Sequence, residues 1–355
     1  MRETGDTRID AVPVGATDTA GPVRAVAGGR LAVRAGGRVE VYGREAFLAG
    51  AREPLAGCDL PDGAHAEPAA DGGFVVAEAS RVRAVTADGT TRWEVPHDTW
   101  HGGHRPPRAP GAPAPGPRGR FVAVTVPTLL PGDGAREREV LVDDGPPRRG
   151  YGRDRLLLLD AATGAVLDER PVAAVSGAVA LRWRADGAVL AASFWTAWYG
   201  WAGCWLEASY DGLRVLGAGL DRHEAAAFVP GTSRLVTMRR AEGMSLDDDR
   251  YELALHDVHD PSAAAVLDLN DLSWEPEDDD FDHVYALDAR HLLVTADWVP
   301  PRGPLEPTHW LLAADTLRPL GRLRYPRPVG NAVTALGDGT WLTHDAGRLH
   351  RWRLG

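Results

Sequence analysis

The sequence predicts an all-β fold: a seven-bladed β-propeller of four-stranded antiparallel blades, with the last blade closed by the N-terminal strand. Three observations predict it. Short apolar runs alternate with Gly- and Pro-bearing turns along the whole chain. One kind of run, read as the second strand of a blade, recurs seven times. An extended segment is left over before the first unit, while the last unit ends one strand short.

The clearest unit runs from Ala178 to Gly217. It holds four apolar runs: Ala178–Trp183, Ala188–Phe194, Cys204–Ser209 and Leu213–Leu216. The links Ala185-Asp186-Gly187 and Tyr210-Asp211-Gly212 read as two-residue hairpin turns, whose central positions both take positive φ. Four strands so joined form one small antiparallel sheet.

Equivalent second strands begin at Leu31, Phe74, Phe121, Val189, Leu235, Leu292 and Trp341, with gaps of 43, 47, 68, 46, 57 and 49 residues. The shortest gaps match the length of a propeller blade, about 40–45 residues, and the longer ones require insertions. Third strands follow at Arg38–Tyr42, Arg81–Thr86, Arg155–Leu159, Cys204–Ser209, Tyr251–His256, Thr308–Ala313 and Arg348–Arg353. The blades are expected at 20–60, 64–96, 104–172, 178–218, 223–270, 282–325 and 329–355, the last joined by 7–14. The segment Thr7–Val14 is extended, and Pro13 within it suits an outer edge. A ring closed by this segment hides edges that an open ring would expose.

His223-Glu224-Ala225-Ala226-Ala227-Phe228-Val229-Pro230-Gly231 resembles the opening of a WD40-type blade, and Leu158-Leu159-Asp160-Ala161-Ala162-Thr163-Gly164 resembles the end of a third strand with its turn. Gly89-Thr90-Thr91-Arg92-Trp93 is similar to quinoprotein-type blades. The chain thus resembles a divergent bacterial WD40-type β-propeller, though no Trp-Asp pair stands in its third strands.

Composition narrows the function. The net charge of −11 disfavours nucleic acid and anionic membranes as partners. All 39 basic residues are Arg, so lysine Schiff-base chemistry and a phosphate-loop lysine are ruled out. Gln is absent and Ile9 is the lone Ile, a bias expected of a GC-rich bacterial genome. Cys58 and Cys204 are too few for a disulfide framework or a thiolate zinc site. Met1–Asp10 is polar with both charge signs and does not read as a secretory signal. The expected setting is the cytoplasm, and the default state is a monomer.

The longest connections are expected between second and third strands (127–153, 195–203, 239–250, 297–307) and between blades (96–119, 270–282). In an up-and-down blade these leave from the same end, which marks that end as the working face. Within 194–205, Trp195, Trp198, Tyr199 and Trp201 offer stacking platforms, or else pack under neighbouring loops. Trp100 and Trp298 lie in two other long connections. Asp248 and Asp279 belong to acidic runs that stay solvated, hold a hard cation or meet a basic partner. His97, Asp98, His101 and His104 match no metal-site spacing, and Arg105–Pro117 after them reads as a linker. His256-Asp257 and His259-Asp260 fall in a third-to-fourth turn on the plain face, and His344-Asp345 lies on the working face without a nucleophile.

The leading expectation is a non-catalytic binding module that docks a protein or peptide on the face with the long connections. The alternative is a small-ligand binder or metal-dependent hydrolase. The propeller resemblance implies that such a site, of the kind that holds Ca²⁺ in lactonases, lies at the mouth of the central channel. There Glu224, Asp282, His283 and Asn331, near the starts of innermost strands, would hold Ca²⁺ or another divalent metal. No Gly-x-Ser-x-Gly elbow, phosphate loop or His-Glu-x-x-His helix supports another chemistry.

Overall fold

In the computed structural model the described residues are 7–98, 111–127, 154–172, 179–195, 201–218, 222–239, 251–272, 279–298, 306–345 and 347–355. Nearly all the regular secondary structure of the described residues is strand. An N-terminal strand, β1 (Arg8–Asp18), precedes the first blade, which comprises β2 (Val23–Val26), β3 (Arg30–Ala35), β4 (Arg38–Gly43) and β5 (Ala56–Asp59). The second holds β6 (His65–Pro68), β7 (Phe74–Ala77), β8 (Arg81–Val85) and β9 (Thr91–Pro96). The third holds β10 (Ala114–Pro115), β11 (Phe121–Pro127), β12 (Asp154–Asp160) and β13 (Val166–Val172). The fourth holds β14 (Val179–Trp183), β15 (Val189–Trp195), β16 (Trp201–Ser209) and β17 (Gly212–Ala218). The fifth holds β18 (His223–Phe228), β19 (Arg234–Arg239), β20 (Glu252–Asp257) and β21 (Asp260–Asp268). The sixth holds β22 (Asp279–Ala286), β23 (His291–Trp298), β24 (Glu306–Ala313) and β25 (Pro319–Arg324). The seventh holds β26 (Val333–Ala335), β27 (Thr340–Asp345) and β28 (Arg348–Leu354), with β1 as its fourth strand.

The chain divides into two compact units. In the unit made of Val26–Gly43 and Glu53–Ala225, successive blades pack face to face. Phe74 and Val76 meet Val39 and Val41, then Val75 and Ala77 meet Val122 and Leu157, and Phe121 and Leu156 meet Leu190 and Phe194. A strand covered on both faces needs no polar alternation. That is why Phe121–Pro127, apolar but for Thr125, is buried at every position.

The other unit comprises Met1–Ala25, Arg44–Arg52 and Ala226–Gly355. Here β1 pairs antiparallel with β28 from Ala11 to Asp18 and parallel with β25 from Arg8 to Asp10. The parallel ladder stops at Asp10, opposite Arg324, where β25 ends. Gly321 lets β25 approach: a Cβ there would overlap the carbonyl oxygen of Thr7. That oxygen accepts the Arg322 N–H at 2.9 Å.

Three expectations need correction. The Asp186-Gly187 and Asp211-Gly212 turns carry a positive φ at the glycine alone, 67° and 117°. In the first, the Gly187 N–H bonds to the Arg184 carbonyl, so a four-residue turn ends in a left-handed glycine. Part of the expected linker Arg105–Pro117 is strand β10, whose Ala114 carbonyl accepts the Trp183 indole N–H at 2.7 Å. A five-residue helix, α1 (Arg44–Leu48), occupies the third-to-fourth connection of the first blade, a type of connection expected to be plain. Its Phe47 carbonyl accepts the Thr17 hydroxyl of β1 at 3.4 Å, so the helix covers part of the free edge of that strand.

Candidate functional site

Five of the sequence-predicted residues, Asp279, Asp282, His283, Trp298 and Asn331, belong to the sixth blade and its link to the seventh. Asp279 opens β22 and is the register partner of Trp298, which closes β23 and faces Glu306 on β24. Three residues further in along β23 and β24, His283, Thr295 and His309 form one row across the same three strands, past a bulge in β22. Asn331 lies in the link between the two blades. The acidic composition hides the start of β22. Asp282 and His283 therefore sit mid-strand, where the sequence reading placed them near its beginning.

Period-two alternation puts His283, Tyr285, Thr295, His309 and Leu311 on the face of the sixth blade that packs on the seventh. His283 and Tyr285 stack with ring centroids 5.9 Å apart. The next-door Thr295 and His309 are buried, His309 at 2 % exposure. Tyr325, just past β25, crosses to the seventh blade. Its hydroxyl lies 2.7 Å from His309 Nδ1 and accepts the Trp341 indole N–H at 3.0 Å, and its ring meets Trp352 edge-on at 5.0 Å. Trp352 in turn donates to the Thr343 hydroxyl at 2.9 Å.

The donor inventory fixes the tautomer. With one acceptor site of Tyr325 taken by Trp341, the phenol hydrogen goes to His309 Nδ1, and the imidazole proton resides on Nε2. Burial pushes the His309 pKa down to about 4 and the Tyr325 pKa upward, so both are neutral near pH 7. The Asn331 side chain lies within hydrogen-bonding reach of His309 and partly offsets that fall, although the contact misses ideal geometry. The Asn331 amide and His309 Nε2 are buried.

In the fourth blade, Trp195 and Trp201 are register partners at the ends of β15 and β16. The strands run further than the sequence indicates, so only 196–200 connect them. Of the aromatics there, Phe194 and Trp205 are core residues and Trp201 is half-buried. Trp100, Trp198, Tyr199 and Asp248 lie outside the described residues. Glu224 is half-buried on β18, beside Ala225, whose N–H bonds to the Ser193 hydroxyl at 2.7 Å. Among the described residues no group of three or more His, Cys, Asp or Glu side chains is placed to hold a metal. None of the described helices is long and apolar enough to cross a membrane.

No protein-family model matches this chain, and no curated protein matches it in sequence. Solved structures resemble it in fold. An acylaminoacyl peptidase of Pyrococcus horikoshii is 10 % identical, with a TM-score of 0.50, over 95 % of this chain and 51 % of that one, so the chain spans about half the peptidase. The β-propeller domain of the Trilobed protease from Pyrococcus furiosus is 11 % identical over 96 % of this chain and 94 % of the other, with a TM-score of 0.48. Sqt1 of Saccharomyces cerevisiae is 10 % identical over 99 % and 100 %, with a TM-score of 0.43. The fold defines the class: this chain is a seven-bladed β-propeller whose last blade is completed by its N-terminal strand. Fold alone does not carry an activity, because propellers host unrelated functions.

Proposed function

We propose that the protein is a non-catalytic binding module that docks a protein or peptide on the end of the blades from which the second-to-third connections leave. One observation carries this reading. First-to-second turns never exceed five residues, whereas β11 and β12 are separated by 128–153, β19 and β20 by 240–251, and β23 and β24 by 299–305. The inter-blade links 97–113 and 269–278 leave from that same end. At the opposite end the long exception is the α1 connection, and its contact with β1 gives it a structural purpose. Long connections on a rigid scaffold are where binding residues concentrate. Trp195, Trp201, Trp298 and Asp279 flank or border these connections, and we propose Trp100, Trp198, Tyr199 and Asp248 as contacts within them.

A WD40-type scaffold of the bacterial cytoplasm is the setting we favour, supported by the Pro-Gly blade opening at Val229–Gly231 and by two buried, free cysteines. The test is affinity capture from the native host. A chain with 128–153 and 196–200 each replaced by a short Gly-Asn-Gly turn is expected to keep its circular dichroism spectrum and lose the partner. Equal capture by both chains contradicts the reading.

A further inference from the structure

We propose that the cavity between helix α1 and strands β1 and β28 binds a small carboxylic acid, with its apolar body inside the cavity and its carboxylate on Arg351. The site lies apart from the long connections and does not depend on the binding role proposed above.

The cavity follows from the residues that meet there. Gly15 and Thr17 on β1 are register partners of Arg351 and Leu349 on β28, so these positions share one face of the seventh blade. Glu45, Leu48 and Ala49, spaced three and four apart, turn one side of α1 toward that face. Gly15, Ala16 and Ala49 are too small to fill the space, and a gap of about 200 Å³ remains among them. Val14 at its rim is exposed, so the gap opens to solvent. An apolar cavity of about 150 Å³ can hold a benzene ring, so a phenyl or branched alkyl group fits here. The backbone does not require glycine at position 15. Its φ lies outside the left-handed region, and a Cβ built on it meets no atom within 4 Å. Glycine in a strand costs stability, yet the space is left open.

Arg351 sets the polar end. Its Nε donates to the Thr340 hydroxyl at 3.3 Å, and its Nη2 lies 3.5 Å from an Asp338 carboxylate oxygen, which anchors the guanidinium within the seventh blade. Its Nη1 donates to Glu45 Oε2 at 2.9 Å. The Arg351 side chain is 17 % exposed and that of Glu45 is 65 % exposed, so the arginine is the fixed member of the pair. Such an exposed pair contributes little, and Glu45 keeps Arg44 as a second partner at 3.0 Å. Glu45 therefore stands where a ligand carboxylate would stand. The incoming acid replaces a weakly held carboxylate by one whose attached carbons are buried. An ammonium group would meet the guanidinium groups of Arg351 and Arg44 instead, and an uncharged head would not displace Glu45.

The full chain, with its leucine and valine methyl groups ¹³C-labelled, is titrated at constant ionic strength with 3-methylbutanoate and, separately, with 3-methylbutanamide and with acetate. Saturable NMR shifts of the Leu48 and Leu349 methyl groups with 3-methylbutanoate alone are expected. The unmodified protein carries this comparison, so it does not depend on a variant folding. Glu45→Ala frees Arg351 Nη1 and is expected to tighten binding by about threefold or more, the fold-change that a pair of this strength controls. Gly15→Leu fills the gap and is expected to abolish the shifts while its melting temperature stays at or above that of the unmodified chain. No saturable shift, an equal response to the amide or to acetate, or weaker binding by Glu45→Ala overturns the proposal.

Discussion

The Tyr325 hydroxyl lies 2.7 Å from His309 Nδ1, tying the third strand of the sixth blade to the link that begins the seventh. One phenol oxygen therefore serves two buried partners, His309 and Trp341. Tyr325→Phe strands both. Each unsatisfied buried group costs about 1–3 kcal/mol, so the variant is expected to lose about 2–4 kcal/mol in denaturant unfolding. A loss below about 0.5 kcal/mol would show that the hydroxyl does not organise the seam.

The attachment of β1 to β25 depends on Gly321. Gly321→Ala forces a Cβ onto the Thr7 carbonyl at a φ of 152°, so the parallel ladder at Arg8–Asp10 is expected to open while the β28 ladder persists. Hydrogen exchange reads this as faster exchange confined to the first residues of β1. Unchanged protection at Ile9 would count against the double attachment. The nearby Glu45–Arg351 ion pair, 2.9 Å long with Glu45 well exposed, is a contrast. Glu45→Ala is expected to cost less than about 1 kcal/mol, as exposed pairs do.

Acid should destabilise the fold before its carboxylates titrate. Burial lowers the His309 pKa from 6.5 to about 4, and lowers those of His65, His97 and His350 in the same direction. Between those values the unfolded chain binds the proton that the folded chain refuses. The stability from neutral His309 is thus complete above about pH 6.5 and lost as pH falls toward 4, a contribution of at most about 3 kcal/mol. Thr295, Tyr325 and Asn331, which surround the ring, carry no compensating charge. Unfolding free energies measured from pH 7 to pH 4.5 should fall, and the His309 ring should show no titration above pH 5. A ring that titrates near 6.5 would place it in water.

Neither thiol should react in the native state. Cys204 is fully buried and burial pushes its pKa up to about 12; Cys58 moves in the same direction. A thiol reagent should therefore label both only on unfolding. Rapid native labelling would contradict the core assignment of β16.

The fold was legible because blade strands are local objects. Phe74, Phe121 and Trp341 each open a buried run next to turn residues, and all seven second strands begin within a residue of the positions read from the sequence. The β1 closure was legible from a strand missing at one end and spare at the other. Helix α1 was not, because Arg44–Leu48 is too short to show a 3.6-residue period. The seam was half legible. His283 and Asn331 stood out as polar residues near innermost strands, but His309, Tyr325 and Trp341 come from a third strand, a link and a second strand, and no spacing joins them. A buried His in the apolar run Thr308–Ala313 was the one signal available, since a core histidine needs partners.

Hydrogen exchange on the chain with its captured partner bound tests the docking end most directly. Protection gathered in 128–153, 196–200, 240–250 and 299–305, with the first-to-second turns at Gly187 and Gly231 unchanged, is the predicted result. Protection confined to those short turns, with the long connections exchanging as in the free protein, would contradict it.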